Sequence, residues 1–417
     1  MAVRDFILLD VGGSYIKSCT VEKDGQDLRN FHRVTIPPFT TLMGLSREIS
    51  LIEFNKSIAE AIRIQQQYCP RAREILISGQ MGCFLKPGGE IVSWQDRSVL
   101  SESNYEEFES FSTKLRETAS FRRTGTTINP GLPLIVMGLS QNNFPRPPHP
   151  TCFTSLISQV VAFLSGDPNP IMHSTDAASS GFYDIFENAW ISDLTNLVRE
   201  KFYFPEVASE VKTIAYSAEF NLEVYCGVGD QQASLLGAGI EENNVVINIG
   251  TGGQVARLRD SNTTREGISV RPYFGNQLIE TITHLPAGRS LKAFVEYCTG
   301  DSDYASHSKF FELIDQNNSI GEIDIVDFQK ALFEIKNSDS AVDFSGIAGS
   351  FFHSMVDSYR DAIQSISKNE DLVFAGGVGQ KFDLLSQRLG NELNRSIFVA
   401  DSEETTLNGL SKLTHSL

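Results

Sequence analysis

Two apolar runs lead straight into glycine turns, and the residue types at those turns suit the holding of a polyphosphate. Phe6-Ile7-Leu8-Leu9-Asp10-Val11-Gly12-Gly13-Ser14 stands near the start, and Val245-Val246-Ile247-Asn248-Ile249-Gly250-Thr251-Gly252-Gly253 repeats the pattern past the middle. Glycine accepts positive φ and has no Cβ to hold an anion away, so a buried strand followed by such a turn presents a run of backbone N–H groups. Two such turns facing each other would clamp one polyphosphate between them. A third glycine turn, Ala375-Gly376-Gly377-Val378-Gly379 with Gln380 behind it, follows another apolar run and is a further phosphate- or nucleoside-facing candidate.

Phosphoryl transfer from a nucleotide needs amides and a cation for the phosphates, a group to take the acceptor's proton, and closure that excludes water. Asp10, at a strand end, is placed to hold Mg²⁺ through water, since that ion keeps part of its hydration shell. Its alternative role is to cap the Gly12-Gly13 turn. In Val228-Gly229-Asp230-Gln231-Gln232 an aspartate lies between a glycine turn and an apparent helix start, as proton acceptor or as a plain N-cap. Neither G-x-x-x-x-G-K-[ST] nor a G-x-G-x-x-G opening a helix is present, which removes the P-loop and Rossmann readings.

The elements that must position these residues follow from length and pattern. A chain of 417 residues suits two domains, and the polar break at Ile240-Glu241-Glu242-Asn243-Asn244 divides it into 1–240 and 241–417. Residues 1–36 read as a β-meander with turns at Gly12-Gly13 and Asp24-Gly25, residues 47–68 as a helix, and 74–79 as a short buried strand. Residues 141–150, with four prolines, read as a surface loop before an amphipathic helix near 155–164. Further helices are expected at 193–201, 231–238, 291–298, 327–335, 351–367 and 382–393, and a strand ending in a glycine turn at 372–379.

Composition narrows the partners. With 52 acidic against 35 basic residues the formal net charge is -17, a field that repels nucleic acid and acidic membranes. It also repels ATP, so a nucleotide site here must rely on local amide dipoles and a divalent cation. The six cysteines are scattered without a C-x-x-C pair, which excludes a disulfide framework and a zinc site by pattern and points to a reducing, cytoplasmic location. No run approaches the ~20 apolar residues of a membrane span.

Taken in order, these segments resemble the FGGY carbohydrate kinases, the family of ribulokinase, glycerol kinase and xylulokinase, over nearly the whole chain. The segments are Asp10-Val11-Gly12-Gly13, Ser78-Gly79-Gln80-Met81, Trp94-Gln95-Asp96-Arg97, Gly229-Asp230-Gln231-Gln232, Asn248-Ile249-Gly250-Thr251-Gly252-Gly253 and Gly376-Gly377-Val378-Gly379. The resemblance implies an α/β architecture of two ribonuclease-H-like domains, of the actin/hexokinase ATPase type, with a cleft between them. It implies ATP and Mg²⁺ as cofactors, Asp230 as general base on a primary hydroxyl, and Asp10 at the metal. Gly12, Gly13, Ser14, Gly250, Thr251, Gly252, Gly376, Gly377 and Gln380 would hold the nucleotide, and Gln80, Met81, Trp94, Asp96 and Arg97 the sugar. Family members are often dimers, so a homodimer is a possible assembly.

Ser174-Thr175-Asp176-Ala177-Ala178-Ser179-Ser180-Gly181-Phe182-Tyr183, Ile268-Ser269-Val270-Arg271-Pro272-Tyr273-Phe274 and Gly288-Arg289-Ser290-Leu291-Lys292-Ala293-Phe294 look more like the sedoheptulokinase branch, which favours a ketose, sedoheptulose in particular. Two positions depart from the pattern. Gly82-Cys83 follows Met81 where the family has His-Gly, and Gly13 stands where it has Thr. A kinase for xylulose or glycerol, a non-catalytic sugar or nucleotide sensor, and an actin-like ATPase are the competing readings.

Overall fold

The run Asp5–Val11 (β1) is buried along its whole length. It is covered on both faces: Ile7, Leu9 and Val11 join one apolar cluster, while Phe6 and Leu8 join another, as the period of two demands. Each such side chain contributes roughly 1.5–3 kcal/mol by leaving water. Tyr15–Glu22 (β2) returns antiparallel from Val11↔Ile16 to Asp5↔Glu22, and Arg29–Thr35 (β3) extends the expected meander. Leu51–Tyr68 (α1) buries one stripe, Phe54, Ile58, Ala61, Ile62 and Gln65. The Gln65 amide donates to Ser18 Oγ and to the Asn30 carbonyl, both at 2.9 Å. Glu74–Gly79 (β4) then runs parallel to β1, from Phe6↔Glu74 to Val11↔Gly79.

The computed structural model describes residues 5–23, 25, 27–42, 45–139, 147–259, 265, 267–300, 326–329, 332–335 and 344–417. They form two compact units. The first comprises Met1–Gly237, Asp260–Leu278 and Thr406–Leu417; the second comprises Ala238–Arg259 and Ile279–Thr405. Two pieces of the 241–417 segment therefore fold with the first unit.

After α1 and β4, the first unit adds helix Leu156–Ser165 (α2), strands Thr213–Ser217 (β5), Leu222–Tyr225 (β6) and Val228–Gly229 (β7), and helix Asp230–Ala238 (α3). Its sheet runs β5-β6-β4-β1-β2-β3, with β7 also paired to β4. The helix Thr405–Thr414 closes one face: Leu407, Leu410 and Leu413 cluster with Phe6, Leu8 and Ala233. Gly409 in that helix lies so close to α3 that a Cβ there would run into the Ala233 carbonyl oxygen.

The second unit repeats the scheme. Asn244–Ile249 (β8) pairs antiparallel with Gly253–Arg259 (β9). Leu278–Leu285 (β10) and helix Gly288–Thr299 (α4) follow, then strands Val326–Gln329 (β11) and Leu332–Ile335 (β12), helix Phe344–Ile366 (α5), strand Asp371–Ala375 (β13), helix Asp383–Leu393 (α6) and strand Ile397–Val399 (β14). Its central strands run β10-β9-β8-β13-β14, and β8 is parallel to β13 as β1 is to β4.

Several expected elements are corrected. In place of the helix expected over 327–335, Val326–Gln329 and Leu332–Ile335 form the antiparallel pair β11-β12, with Phe328 opposite Phe333 and both rings packed on Phe351 of α5. Tertiary packing of alternate side chains outweighs the helical spacing there. The 193–201 helix is cut to Ser192–Thr195; beyond it the amides of Leu197, Val198 and Lys201 bond three residues back, which is turn geometry. The helix expected from 47 begins at Leu51, because Ser46–Ser50 is a strand between Thr40–Leu42 and Glu90–Val92. The strand expected over 372–379 ends at Ala375 and gives way to a single helical turn, Gly376–Gly379. Asp24 and residues 141–146 of the proline-rich segment lie outside the described residues.

Docking of the C-terminal helix on α3 is testable at Gly409. Gly409→Ala should cost about 2–3 kcal/mol by overpacking backbone against backbone and lower the thermal midpoint by roughly 4–10 °C. An unchanged midpoint in differential scanning calorimetry would show that the two helices do not pack this closely.

Candidate functional site

Strands β1, β4 and β7 are parallel, so their carboxyl ends lie side by side. Asp10 pairs with Ser78 and Val11 with Gly79 on one edge of β4, and Val228 pairs with Ser78 and Gly229 with Gly79. Neighbouring strands are ~4.8 Å apart. Asp10, the Gly12-Gly13 turn, Gln80-Met81 and Asp230 thus leave one sheet edge within about 10 Å of each other, at the carboxyl ends of parallel strands, where open α/β sheets bind ligands.

The first turn is tight. Gly12 N–H donates to the Tyr15 carbonyl at 3.0 Å, leaving Gly13 and Ser14 exposed while Asp10 is only 8% exposed. Gln80 N–H donates to the Val11 carbonyl at 2.9 Å, and the Gln80 Nε2 would lie 3.1 Å from a Cβ at position 13. A side chain at position 13 would press on the Gln80 amide, which would have to shift by a few tenths of an ångström. Among the described residues no group of three His, Cys, Asp or Glu side chains is gathered as a metal cage. A carboxylate at a strand end, as at Asp10, suits Mg²⁺, a hard cation that keeps water and takes further oxygens from phosphates.

Asp230 opens α3. Its Oδ1 accepts from the Gln231 N–H at 2.8 Å. The preceding peptide is pinned: Gly229 N–H donates to Thr175 Oγ1 at 3.0 Å, and that hydroxyl lies 2.8 Å from His173 Nδ1. Burial holds the His173 pKa down at about 4, so the ring is neutral and Nδ1 can accept. Burial also pushes the Asp230 pKa up to about 6, against the opposing effects of the Gln231 amide and the Arg271 charge. Asp176, 1% exposed, is pushed up to about 7 by burial and by the Asp230 charge, although Ser155 Oγ donates to its Oδ2 at 2.5 Å. Cys83 is pushed up to about 12, again chiefly by burial.

The other acceptor candidates divide. Met81 lies against Gly229 and 4.0 Å from Arg271 Nη1, and Trp94 packs beside Gly82. Asp96, by contrast, uses both oxygens on nearby backbone and loop groups, accepting from the N–H of Arg47, in the strand Ser46–Ser50, and of Ser98 at 2.9 Å each and from Ser98 Oγ. Arg97 Nη1 donates to the carbonyls of Asp96 and Trp94 at 2.8 and 3.3 Å. Thr175, Asp176 and Arg271 were not singled out from sequence as site residues. The signal for Arg271 was available: a lone cation between Val270 and Pro272, both buried in the strand Ser269–Pro272.

In the second unit, Gly250 N–H donates to the Gly252 carbonyl at 3.1 Å, leaving Thr251 and Gly252 exposed. The start of α4 braces this turn, with Gly288 N–H on the Gly250 carbonyl at 3.0 Å and Arg289 N–H on the Thr251 carbonyl at 3.2 Å. Gly376, with φ 81°, presses on the end of β8, where a Cβ would lie 2.5 Å from Asn248 Oδ1 and 2.6 Å from the Ile249 carbonyl oxygen. Only glycine tolerates both constraints. The turns at 250–252 and 376–377 are thereby brought together. The Gln380 amide donates to the Ala400 and Ser402 carbonyls at 2.7 and 2.9 Å, which ties the loop after β14.

No protein-family model and no curated protein matches the chain. Solved structures do. Gluconate kinase from Lactobacillus acidophilus superposes with a TM-score of 0.82 at 15% identity, covering 100% of this chain and 89% of that one. Xylulose kinase from the same organism gives 0.82 at 15%, covering 99% and 89%. Plasmodium falciparum glycerol kinase with ADP gives 0.80 at 16%, covering 99% and 89%. The chain therefore has the two-domain actin/hexokinase-type ATPase fold of these sugar kinases.

The raised Asp176 pKa has a sign that can be checked. Its pKa rises from 3.8 unfolded to about 7 folded. The stabilisation is thus complete below the unfolded value and is lost as pH rises through the folded one. Asp176→Asn should remove this share of the pH dependence, so that between about pH 4 and 7 the variant's thermal midpoint falls less with rising pH, or rises more, than the parent's. Identical slopes in parent and variant would refute a neutral Asp176.

Proposed function

We propose that this protein is an ATP- and Mg²⁺-dependent carbohydrate kinase that transfers the γ-phosphoryl group to a primary hydroxyl of a sugar, with Asp230 as general base. The observation that carries this reading is the shared edge of β1, β4 and β7, from which Asp10, the first glycine turn, Gln80-Met81 and Asp230 all project. Its support is the full-length likeness to kinases of gluconate, xylulose and glycerol, whose acceptors all carry a primary hydroxyl.

The chemistry falls to few groups. Asp230, with a pKa of about 6, is ionised at neutral pH. It accepts the hydroxyl proton as the acceptor oxygen bonds to the γ-phosphorus and the bond to the β-phosphate oxygen breaks, releasing ADP. Thr175 and His173 hold the peptide before Asp230, so the carboxylate is aimed before substrate arrives. Gly12, Gly13 and Ser14, together with Gly250, Thr251, Gly252, Gly376 and Gly377, are the proposed nucleotide contacts and would offer amides and hydroxyls. Magnesium bound near Asp10 would supply charge neutralisation on the phosphates.

On the acceptor, the branch resemblance favours a ketose, with sedoheptulose the specific candidate and xylulose or glycerol the alternatives. Gly82, which stands where an imidazole would otherwise meet sugar, favours a sensor as the second reading. A cytoplasmic location belongs to the same proposal, supported by the free thiols of Cys19, Cys69, Cys83, Cys152 and Cys226.

ADP release measured over ketoses, polyols and sugar acids tests the reading: sugar-stimulated release supports a kinase, and binding without release a sensor. Asp230→Ala should lower kcat by roughly 10²–10⁴-fold without lowering the thermal midpoint. Near-parental turnover would remove Asp230 as base. In the parent enzyme kcat/KM should fall tenfold per pH unit below about pH 6, where Asp230 takes up its proton. An acid limb centred near pH 4 would contradict the raised pKa.

A further inference from the structure

Arg271 is a largely enclosed cation of the first unit with few hydrogen-bond partners among the described residues. It projects from the strand Ser269–Pro272, where Val270 and Pro272 are buried, and it keeps only a minor share of its surface accessible. A guanidinium carries five N–H donors and no acceptor. Here Nε is enclosed without a hydrogen-bond partner among the described residues, and Nη1 reaches only the thioether sulfur of Met81, at 4.0 Å. Asp230 acts on it through charge, with no hydrogen bond between the two among the described residues. Taking such a group out of water and leaving its donors unpaired is costly. The cost is offset when a ligand completes the set.

The surroundings indicate what ligand. Met81 belongs to the segment beside the first glycine turn, and Gly229, next to Asp230, crowds against the same sulfur. Arg271 therefore overlooks the ground where an acceptor hydroxyl would meet its base. Sugar hydroxyls could pair with single N–H groups, but they leave the positive charge uncompensated. A carboxylate supplies two coplanar oxygens and a negative charge, the match for a planar guanidinium fork. Asp230 does not fill that role: it acts on Arg271 through charge, and no hydrogen bond joins the two among the described residues.

We propose that Arg271 is the specificity-determining residue of the acceptor site and binds the carboxylate of a sugar acid, so that an aldonate is preferred to a neutral ketose. This replaces the ketose expectation with a sugar acid as the preferred acceptor. It rests on the kinase reading for turnover, though not for binding.

The same fork would take a phosphate oxygen, so the test has three ligands. Calorimetric titration of the full-length protein without nucleotide would compare D-gluconate, D-xylulose and inorganic phosphate, for the parent, Arg271→Gln and Arg271→Lys, with thermal midpoints confirming folding. Gluconate should bind at least about tenfold more tightly than xylulose. Arg271→Gln should weaken gluconate by on the order of 10- to 100-fold and xylulose far less, and Arg271→Lys, which keeps the charge without the fork, should recover part of the loss. Tighter binding of xylulose by the parent, or equal loss of both sugars in Arg271→Gln, overturns the proposal. Phosphate binding as tight as gluconate and equally lost in the variant overturns the acceptor assignment. ADP release separates the two readings. Arg271-dependent gluconate binding with no acceptor-stimulated release sinks the kinase and supports the carboxylate site. Release best stimulated by xylulose and indifferent to Arg271→Gln supports the kinase and sinks this proposal.

Discussion

A strand of two residues cannot aim a catalytic side chain by ladder pairing alone, and β7 consists only of Val228 and Gly229. What fixes it is the hydrogen bond from Gly229 N–H to Thr175 Oγ1, together with pairing to the end of β4. The hydroxyl depends in turn on a neutral His173, and the ring is neutral because it is wholly buried. Asp230 then leaves the sheet with its orientation already set, and its carboxylate takes the first amide of α3. The high pKa values of Asp230 and Asp176 follow from this arrangement: two carboxyl groups share a poorly solvated neighbourhood, and only Arg271 supplies opposite charge. Desolvation is thus the force that both pins the geometry and keeps the base near neutral strength.

The two units reach a common solution. Each places an antiparallel hairpin beside a parallel strand, β1-β2 with β4 and β8-β9 with β13, and each ends its leading strand in glycines. The second unit braces its turn with the start of α4, whereas the first lays the Gln80 side chain across it. At position 13 a side chain would meet the Gln80 amide, whereas Thr251 stands exposed at the corresponding bend.

Much of this was legible in the sequence, for identifiable reasons. A strand covered on both faces reads as an unbroken apolar run, as Phe6 to Leu9 does, and a turn that presses backbone on backbone must use glycine, as Gly376 does. The β11-β12 pair was not legible, because Phe328 and Phe333 are ordered by Phe351, which no local window contains. Asp96 belongs to a readable motif, yet the amide its Oδ2 accepts from is that of Arg47, brought there by a small sheet that the pattern did not reveal. Thr175, Asp176 and Arg271 matter because distant segments meet around Asp230, and proximity of that kind leaves no periodic trace.

The return of 260–278 and 406–417 to the first unit bears on how the molecule is made. While the ribosome is still elongating, the side of β1 that carries Phe6 and Leu8 has no cover from Leu407, Leu410 and Leu413. The nascent N-terminal half must wait, with oily surface showing, until residues 406–417 have emerged. Such a chain keeps apolar surface uncovered through much of its synthesis, which makes early intermediates prone to associate.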